Sequence, residues 1–448
     1  MRLKRFNLKI NKKIPPFKKA IKVDADKSIS IRSFLIGAIS QNISIARNIL
    51  ESHDVFSTIN CLKKLGVKIK KLKSNNYLIY GKGLGSLHLK KNTKLNFGNS
   101  GTLTRLLVGI LSTTPGITVD IIGDTSLNKR SMKKLIDLME RFGAFFLPKK
   151  KFNLPLKLIS SEMPIGINYD AGVSAQLKSA VLLAGLNSYG NTLINEVQKS
   201  RDHTENMLLK NSHVIKIKNN KKKVIKILGK KYLKPIKIDV PNDPSSAAFF
   251  SALTLLNTNS SLVIKNVGLN PTRIGFYKLL KAQGAKIKFR NLKKNSNEIR
   301  GDIFVKNCKL KPIKASKDYY VNSTDEYPIL FVLAALTKGI SKFSGIGDLA
   351  NKESNRIIEM KKILDQINIK SELYKEEFKI YGQGLIDASD KTIYVPNLGD
   401  HRICMSSFVL ALLTGAKTKI NNFETVFTSS PSFLKIMKNL GAKFEIQK

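Results

Sequence analysis

Arginine is scarce in this chain, and the places where it does occur are candidate binding sites. The sequence has 13 Arg against 65 Lys. Lys can replace Arg on a solvated surface, but not where a planar guanidinium grips a carboxylate or a phosphate. Seven arginines lie in short stretches rich in small polar residues, namely Arg32, Arg105, Arg130, Arg201, Arg273, Arg356 and Arg402. We therefore predict a site in which several arginines bind one or more anions.

The stretch around Arg32 places cations where a helix should begin. "DADKSISIRSFLIGAIS" (24–40) ends in an apolar pattern with helical spacing, so Lys27 and Ser28 belong to the predicted N-terminus of the helix. Cations are unfavourable there because the aligned amide dipoles already leave a partial positive charge. A bound anion would relieve this repulsion, and free backbone N–H groups would help to hold it.

Two further stretches combine a helix start with polar side chains. In "FGNSGTLTRLLVGIL" (97–111), glycines such as Gly101 would let a ligand approach the backbone closely. In "AGVSAQLKSAVLLAGL" (171–186), Ser174 and Gln176 occupy the predicted cap and first helical turn. Each stretch, taken alone, is equally compatible with an ordinary helix cap.

Carboxylates stand at the start of another apolar helix. "NSTDEYPILFVLAALTKG" (322–339) has Asp325 and Glu326 directly before its apolar run. Acidic residues at this position normally complement the helix dipole. At the mouth of a buried helix in a cationic site, a carboxylate can also act as a general base.

A mixed cluster of charges follows in "NKESNRIIEMKKIL" (351–364). The four-residue spacing predicts that Lys352 and Arg356 share one helix face, where they repel each other unless Glu353 or an anion intervenes. His401 has no His or Cys at ligand spacing, so we expect a structural His and no metal. No Walker A, strand-led G-x-G-x-x-G or Ser-His-Asp pattern occurs, so we expect no cofactor.

The elements that must position these residues recur along the chain. Six segments, spaced roughly 75 residues apart, pass from an apolar helix through a Gly or small polar residue into a strand. They are "LGVKIKKL" (65–72), "FGAFFLPK" (142–149), "NSHVIKIK" (211–218), "QGAKIKFR" (283–290), "INIKSELY" (367–374) and "LGAKFEIQ" (440–447). Units of this size must pack together to be stable, which favours two halves of three units. Proline-rich 234–256 and basic 9–23 are the predicted crossovers.

Composition narrows the class of protein further. The net charge of +46 suggests nucleic-acid binding, but the lysines are spread along all 448 residues rather than gathered in one stripe. We favour solvated lysines over a specific nucleic-acid surface. The chain has no apolar run of membrane length and no signal-peptide pattern at its start. Three widely spaced cysteines suit a reducing compartment, so we expect a cytoplasmic protein.

These motifs together resemble one enzyme family. They are "DKSISIR", "GNSGTLTR", "GDTSLNKRSM", "SAQLKSA", "SRDHTE", "DEYPIL", "KESNRI" and "DHRICMS". Their order, over residues 22–445, is that of the 5-enolpyruvylshikimate-3-phosphate (EPSP) synthase family. The resemblance implies an α/β (α+β) fold of two similar domains, each of three βαβαββ units, in the inside-out barrel of enolpyruvyl transferases. We expect one domain over 22–238, the other over 1–21 plus 239–448, and the active site in the cleft between them.

The resemblance also implies a reaction and its residues. The enolpyruvyl group of phosphoenolpyruvate would pass to the 5-hydroxyl of shikimate 3-phosphate, through a tetrahedral intermediate that releases phosphate. The residues implied for shikimate 3-phosphate are Lys27, Ser28, Arg32, Ser174, Ala175, Gln176, Ser200, Arg201, Asp325 and Lys352. Those implied for phosphoenolpyruvate are Lys27, Asn99, Gly101, Arg130, Gln176, Arg356 and Arg402. Asp325 would be the base, and Glu353 with Lys27 would protonate the methylene carbon.

Some positions depart from the family pattern, and other functions remain as alternatives. Asn355 replaces a family Asp, which predicts weaker support around Lys352, and Thr428 replaces a Lys that would contact phosphoenolpyruvate. We expect a monomer with intermediate sensitivity to glyphosate, the inhibitor associated with this family. The alternatives are a UDP-N-acetylglucosamine enolpyruvyl transferase, whose loop cysteine is not evident here, and a nucleic-acid-binding protein.

Overall fold

The computed structural model describes residues 5–90, 92–219 and 222–447. The strands within these residues, in chain order, are β1 (Asn7–Ile10), β2 (Lys18–Ile21), β3 (Ile43–Arg47), β4 (Lys68–Lys71), β5 (Tyr77–Tyr80), β6 (Lys94–Asn96), β7 (Thr118–Ile122), β8 (Phe145–Leu147), β9 (Leu156–Ile159), β10 (Asn168–Ala171), β11 (Asn191–Glu196), β12 (Ile215–Asn219), β13 (Lys223–Leu228), β14 (Lys237–Asp239), β15 (Ser261–Gly268), β16 (Ile287–Asn295), β17 (Glu298–Lys306), β18 (Lys314–Ala315), β19 (Gly339–Ser344), β20 (Ser371–Tyr374), β21 (Glu377–Gly382), β22 (Thr392–Val395), β23 (Lys417–Ile420) and β24 (Glu445–Gln447).

The helices alternate with these strands. They are α1 (Lys27–Ile39), α2 (His53–Lys64), α3 (Gly101–Ser112), α4 (Thr125–Lys129), α5 (Lys133–Glu140), α6 (Ala175–Leu186), α7 (His203–Leu208), α8 (Pro244–Leu256), α9 (Gly275–Ala282), α10 (Tyr320–Ser323), α11 (Tyr327–Ala335), α12 (Arg356–Asp365), α13 (His401–Thr414) and α14 (Phe433–Leu440). Short 3₁₀ helices cover Lys317–Tyr319, Gly347–Asn351 and Phe423–Thr428. Among the described helices, none combines the length and apolar character needed to cross a membrane.

The described strands form four-stranded sheets that all follow one plan. The orders are β14-β3-β5-β4, β6-β7-β9-β8, β10-β11-β13-β12, β2-β15-β17-β16, β18-β19-β21-β20 and β22-β23-β1-β24. In each sheet the first pair of strands is parallel and the second pair is antiparallel. The last strand of every order begins within one of the repeated helix-to-strand segments of the sequence. The prediction of six similar units is therefore confirmed.

The chain divides into two compact units. So far as their residues are described, unit 1 comprises Met1–Asp24, Pro241–Lys293 and Ile299–Lys448, and unit 2 comprises Ala25–Val240 and Lys294–Glu298. Each unit holds three of the sheets and its own cluster of buried apolar side chains. The chain thus leaves unit 1 after its first strands and returns to it after unit 2.

Two strands belong to sheets that lie far from them in sequence. Strand β2 comes directly before α1, yet it pairs in parallel with β15 of unit 1. Strand β14 comes directly before α8, yet it pairs in parallel with β3 of unit 2. One sheet of unit 1 is therefore completed by β2, the strand just before the first helix of unit 2. One sheet of unit 2 is completed by β14, the strand just before α8 of unit 1.

Three helices in each unit are buried on nearly all sides, as their apolar sequences predict. In unit 2 these are α1, α3 and α6, and in unit 1 they are α8, α11 and α13. Helices that are apolar all round belong in a protein core rather than at its surface. Their polar residues concentrate at the helix starts, so we expect the side chains that bind ligands or take part in a reaction to lie there.

Helices α3 and α6 run side by side at close range. Gln176 Nε2 donates to Thr102 Oγ1 at 3.0 Å near both helix starts, and Asn187 Nδ2 donates to the Thr113 carbonyl near both ends. The two helices are therefore parallel. Between these contacts, a Cβ added at Gly109 would lie 2.6 Å from the carbonyl oxygen of Ala180. A side chain at Gly109 would force the helices apart, so glycine is required there by close approach.

We predict that Gly109→Ala destabilises the protein, although alanine is the better helix former. The added methyl meets backbone rather than a movable side chain, and overpacking of this kind costs about 1–3 kcal/mol. The measurement is the free energy of unfolding from urea denaturation. Gly172→Ala is the control, because a Cβ there meets nothing within 4 Å. Equal stability of the two variants would contradict the close helix packing.

Candidate active site

The start of α1 confirms the predicted helix and shows how its cation is balanced. Asp26 caps the helix, and its Oδ1 accepts from the backbone N–H of Ile29 at 2.8 Å. Lys27 is the first helical residue, with its Nζ 3.0 Å from Oδ2 of Asp54 on α2. A carboxylate therefore relieves part of the repulsion at this helix start. Asp54 was not singled out from the sequence.

Arg32 is buried one turn further along α1 and is held on three sides. Its Nη1 donates to the carbonyl of Ser28 at 3.0 Å, and its Nε donates to Thr204 Oγ1 at 2.9 Å. Its Nη2 donates to Ser179 Oγ at 3.1 Å. These hydroxyl and carbonyl oxygens help to fix the position of the guanidinium. Ser28 itself is half-buried at the helix start.

The start of α3 brings together two of the predicted phosphoenolpyruvate ligands. Ser100 caps this helix through its Oγ, which accepts from the N–H of Leu103 at 3.2 Å. Arg130 Nη2 donates to Asn99 Oδ1 at 2.9 Å, just before the helix. A Cβ at Gly101 would lie 3.0 Å from Arg130 Nη1. The glycine therefore leaves room for the guanidinium beside the first turn of α3.

The start of α6 matches the sequence prediction for Ser174 and its neighbours. Ser174 caps the helix, with its Oγ accepting from the N–H of Leu177 at 3.3 Å, and Ala175 is the first helical residue. The amide of Gln176 binds Thr102, as described above, so it fixes the start of α6 to that of α3. Ser174, Ala175 and Gln176 are all half-buried.

Ser200 and Arg201 lie in the segment between β11 and α7. The N–H and the hydroxyl of Ser200 both donate to Glu196 Oε1, at 2.9 and 3.0 Å. Burial alone would raise the pKa of Glu196, but the charge of Lys178 and the hydrogen bonds from Lys178, Ser200 and Lys223 together outweigh burial, and the pKa falls to about 2. Arg201 is half-buried. The glutamate that fixes Ser200 is another residue that the motifs did not single out.

In unit 1, a buried arginine is surrounded by three carboxylates. Arg356 Nε lies 2.9 Å from Asp400 Oδ2, and its Nη2 lies 2.6 Å from Glu353 Oε2. Its Nη1 lies 3.8 Å from Asp325 Oδ1. Burial would lower the pKa of Arg356, but the charges of Asp400 and Glu353 outweigh burial and hold its pKa above the usual value. The structure thus unites Asp325, Glu353 and Arg356, which the sequence predicted as site residues.

Asp400 organises this cluster, although only its neighbours were predicted as ligands. It caps α13, where its Oδ1 accepts from the N–H of Arg402 at 2.9 Å. Its Oδ2 accepts from Arg356 Nε and from Ser354 Oγ at 3.0 Å. An acidic residue before an apolar helix is a recognisable cap signal. One carboxylate therefore sets the positions of both Arg356 and the first turn that carries Arg402.

Arg402 is a buried cation at the start of α13. The residue is only 4 % exposed, and its Nε and Nη1 are buried with no hydrogen-bond partner among the described residues. Its Cζ lies 5.7 Å from the ring centroid of Phe249. A buried cation with unpartnered donors is unfavourable unless an acceptor is supplied. The donor geometry and the charge both suit a phosphate or a carboxylate.

The predicted position of Lys352 on a helix face shared with Arg356 is wrong. Lys352 does not share a helix face with Arg356, because α12 begins only at Arg356 and Lys352 follows a 3₁₀ helix. The physical reason is Asn355, whose Oδ1 accepts from the N–H of Ile358 at 3.2 Å and caps α12. Asn is as good a cap as the Asp it replaces. Lys352 Nζ instead lies 2.5 Å from Asp348 Oδ2.

Not every scarce arginine faces an open position. Arg273 is buried, with Nη2 at 3.3 Å from Asp243, the cap of α8, and at 2.9 Å from Ser245 Oγ. Arg105 Nη1 donates to the carbonyl of Gly101 at 2.9 Å. Neither Arg105 nor Arg273 is among the residues that the resemblance assigns to a substrate. Arg273 supports a helix start rather than offering a free guanidinium.

His401 and Thr428 were singled out from the sequence as a structural residue and as a departure from the family pattern. His401 is buried at the start of α13, in keeping with a structural His. In the described part of the chain, no three His, Cys, Asp or Glu side chains form a group that could hold a metal ion. Thr428 Oγ1 donates to the Thr425 carbonyl at 2.7 Å within a 3₁₀ helix. Position 428 therefore carries no cation.

Comparison with known proteins agrees with this arrangement. A family model described as EPSP synthase (3-phosphoshikimate 1-carboxyvinyltransferase) matches residues 11–437. A relative of that name from Zymomonas mobilis is 38% identical over 442 residues, covering 98% of this chain and 97% of the relative. A relative of the same name from Syntrophomonas wolfei is 36% identical over 433 residues, covering 96% of this chain and 99% of the relative.

Solved structures agree as well. EPSP synthase from Acinetobacter baumannii matches with a TM-score of 0.84 and 32% identity, covering 99% of this chain and 100% of the other. The enolpyruvyl transferase NikO from Streptomyces tendae, at 13% identity and a TM-score of 0.76, shares the fold over 99% of this chain and 98% of its own. The family predicted from the motifs is thus confirmed: this chain belongs to the EPSP synthase (3-phosphoshikimate 1-carboxyvinyltransferase) family.

Proposed function

We propose that this chain transfers the enolpyruvyl group of phosphoenolpyruvate to the 5-hydroxyl of shikimate 3-phosphate, releasing inorganic phosphate. The family and the names of its relatives support this reaction, a step of aromatic amino acid biosynthesis. They do not favour a UDP-N-acetylglucosamine acceptor or a nucleic-acid-binding role. The structural observation that carries the proposal is the buried guanidinium of Arg402, whose Nε and Nη1 have no acceptor among the described residues.

Shikimate 3-phosphate is assigned mainly to the helix starts of unit 2. The residues proposed to bind it are Lys27, Ser28, Arg32, Ser174, Ala175, Gln176, Ser200 and Arg201, with Asp325 and Lys352 from unit 1. Support comes from Arg32, a buried guanidinium that contacts within the chain hold at the start of α1. Backbone N–H groups at the starts of α1 and α6 add the dipole field that favours an anion.

Phosphoenolpyruvate is assigned to three arginines and the start of α3. The proposed ligands are Lys27, Asn99, Gly101, Arg130, Gln176, Arg356 and Arg402. Arg402 supports this assignment through its unpartnered donors, and Gly101 supports it because its missing side chain leaves room for Arg130 at the start of α3. Thr428 supplies no additional cation. Intermediate sensitivity to glyphosate stays a prediction.

Asp325 is proposed to take the proton of the 5-hydroxyl. The 5-oxygen then adds to C2 of phosphoenolpyruvate while C3 gains a proton, which gives a tetrahedral intermediate. Loss of a proton from C3 and of phosphate from C2 completes the transfer. Preorganised cations stabilise the charge that develops along this path, and holding both substrates together supplies much of the rate increase.

Glu353 with Lys27 is proposed to protonate C3, and the ion pairs of both residues bear on how this occurs. Glu353 Oε2 lies 2.6 Å from Arg356 Nη2, and Lys27 Nζ lies 3.0 Å from Asp54. An anion bound to Arg356 would replace Glu353 as its partner. Glu353 would then lose the contact that favours its charged form and could carry the proton.

We also propose that the protein acts in the cytoplasm, as a monomer, on these two small molecules. Support for a reducing compartment comes from the cysteines. Cys61, Cys308 and Cys404 are all free thiols, and Cys61 and Cys404 are buried. Structural disulfides are typical of oxidising compartments.

The reaction itself is tested by phosphate release from phosphoenolpyruvate. We expect release only when shikimate 3-phosphate is present, together with a carboxyvinyl product detected by mass spectrometry. UDP-N-acetylglucosamine serves as the control acceptor, and it should give no phosphate. Release with that sugar nucleotide alone would contradict the assigned acceptor.

Asp325→Asn tests the base. The substitution keeps the size of the side chain and removes its ability to take a proton, so kcat should fall about 10²–10⁴-fold. Dissociation constants for both substrates should change little. Asp318→Asn is the control, since Asp318 is exposed on a 3₁₀ helix of the same unit. A kcat for Asp325→Asn equal to that of the control would remove Asp325 from this role.

Arg402→Lys tests the phosphoenolpyruvate site. Lysine keeps the charge but cannot place two donors as the planar guanidinium does, so KM for phosphoenolpyruvate should rise about tenfold or more. KM for shikimate 3-phosphate should change much less. Arg290→Lys, at an exposed arginine of unit 1, is the matched control. Equal effects on both KM values would argue against a ligand role for Arg402.

A further inference from the structure

A fully buried lysine in unit 2 ties together both ends of the segment that carries Ser200 and Arg201. Lys178 lies on α6, and its Nζ is 2.5 Å from Glu196 Oε1 and 2.7 Å from Glu205 Oε1. The side chain of Lys178 is 0 % exposed, and each glutamate is 1 % exposed. Glu196 ends β11 and Glu205 lies on α7, so one ammonium group joins the two ends of the intervening residues. These residues comprise a connection and the first two residues of α7, and we refer to them as the loop 197–204.

The contacts of Ser200 connect this closure to the proposed substrate site. Both the N–H and the hydroxyl of Ser200 donate to the same Glu196 oxygen that contacts Lys178. A change in the position of Glu196 would therefore move Ser200, and with it the adjoining Arg201. Lys178 has no need to touch the substrate in order to influence this segment.

A second pair of contacts holds the far end of the same loop. Ser179, the neighbour of Lys178 on α6, has its Oγ 2.8 Å from Oγ1 of Thr204, the neighbour of Glu205 on α7. Arg32 donates to both of these hydroxyls. Two successive residues of α6 thus hold two successive residues of α7, and the second contact positions an arginine proposed to bind phosphate.

The cluster of Lys178, Lys223, Glu196 and Glu205 contains two positive and two negative side chains. This equality of charge does not by itself explain how the four side chains are arranged. Lys223 Nζ lies 3.0 Å from Glu196 Oε2 and 3.5 Å from Glu205 Oε1, so two lysines face two glutamates. Buried ion pairs are often no more stabilising than apolar side chains of similar volume. Apolar side chains could not accept the hydrogen bonds of Ser200. The cluster provides this acceptor through Glu196 Oε1.

We propose that Lys178 is a positioning residue for shikimate 3-phosphate. Its ammonium pairs with both Glu196 and Glu205, an arrangement that we call the clasp, and thereby holds Ser200 and Arg201 in position to bind the substrate. The proposal rests on the proposed function, since that assigns Ser200 and Arg201 to this ligand. It adds a residue that does not contact the substrate and acts through the loop 197–204.

Lys178→Met tests the clasp, because methionine is similar in length and lacks the charge. We expect KM for shikimate 3-phosphate to rise about ten- to a hundredfold, as misplacement of binding groups typically produces. KM for phosphoenolpyruvate should stay within about twofold of the wild-type value, because Lys178 contacts none of the proposed phosphoenolpyruvate ligands in the described chain.

Leu183→Ala provides the matched control for lost stability, because Leu183 is buried on the same helix and is not part of the cluster. Both variants are compared with wild type at temperatures equally far below their own Tm. A merely structural role for Lys178 would change KM for shikimate 3-phosphate equally in the two variants, and that result would overturn the proposal.

Glu205→Gln covers the case in which Lys178→Met does not fold. Its amide oxygen can still accept from Lys178, so the fold should be retained while the clasp weakens, with KM for shikimate 3-phosphate rising about three- to tenfold. An unchanged KM in this variant would also overturn the clasp. Wild-type turnover in the same assay separates the proposed reaction from the proposed role of Lys178. If the wild type is active and the variants have unaltered KM values, only the role of Lys178 is contradicted. If the wild type is inactive, both proposals are contradicted.

Discussion

The first turns of the buried helices impose the constraint on which this structure depends. A helix enclosed by apolar side chains still presents unpaired N–H groups and partial positive charge at its start, and the chain must satisfy both. Asp26, Ser100, Ser174, Asp243 and Asp400 each cap such a helix through a side-chain oxygen. The caps satisfy a minority of the N–H groups and leave the remaining field directed outward. Under the proposed function, several residues assigned to the substrates lie at or beside these same positions, where this field would favour an anion.

Carboxylates of the chain pair with cations of the proposed site. Arg356 lies among Asp400, Glu353 and Asp325, and Lys27 lies against Asp54. Buried arginines without such partners would be strongly destabilising, so the chain supplies acceptors of its own. Arg402 differs because its Nε and Nη1 have no acceptor among the described residues. Under the proposed mechanism, substrate anions bind directly to Arg402 and exchange with carboxylates at Arg356, and this exchange is what frees Glu353 for proton transfer.

The sequence was sufficient for the family, the fold class and the helix starts. The apolar runs that follow Lys27, Ser174 and Glu326 predicted helices that the structure contains, because the periodicity that indicates a helix is local in the chain. Spacing failed at Lys352, where the cap at Asn355 starts α12 four residues later than the charge pattern implied. Pairings between distant segments were also beyond sequence reasoning. Nothing local indicates that β2 pairs with β15 rather than with a neighbour, or that Glu196 and Glu205 meet on Lys178. Asp54 was missed for the same reason, since its contact with Lys27 joins two helices.

The central claim is that buried cations at these helix starts bind the two anionic substrates directly. It is tested most directly by a crystal structure of the chain with shikimate 3-phosphate and phosphoenolpyruvate bound in a variant that cannot turn over. The account predicts that a phosphate or carboxylate oxygen of phosphoenolpyruvate lies within hydrogen-bond distance of Arg402 Nε or Nη1, and that Arg356 exchanges Glu353 for the ligand. Phosphoenolpyruvate bound away from Arg402, with Arg356 still paired to Glu353, would contradict it.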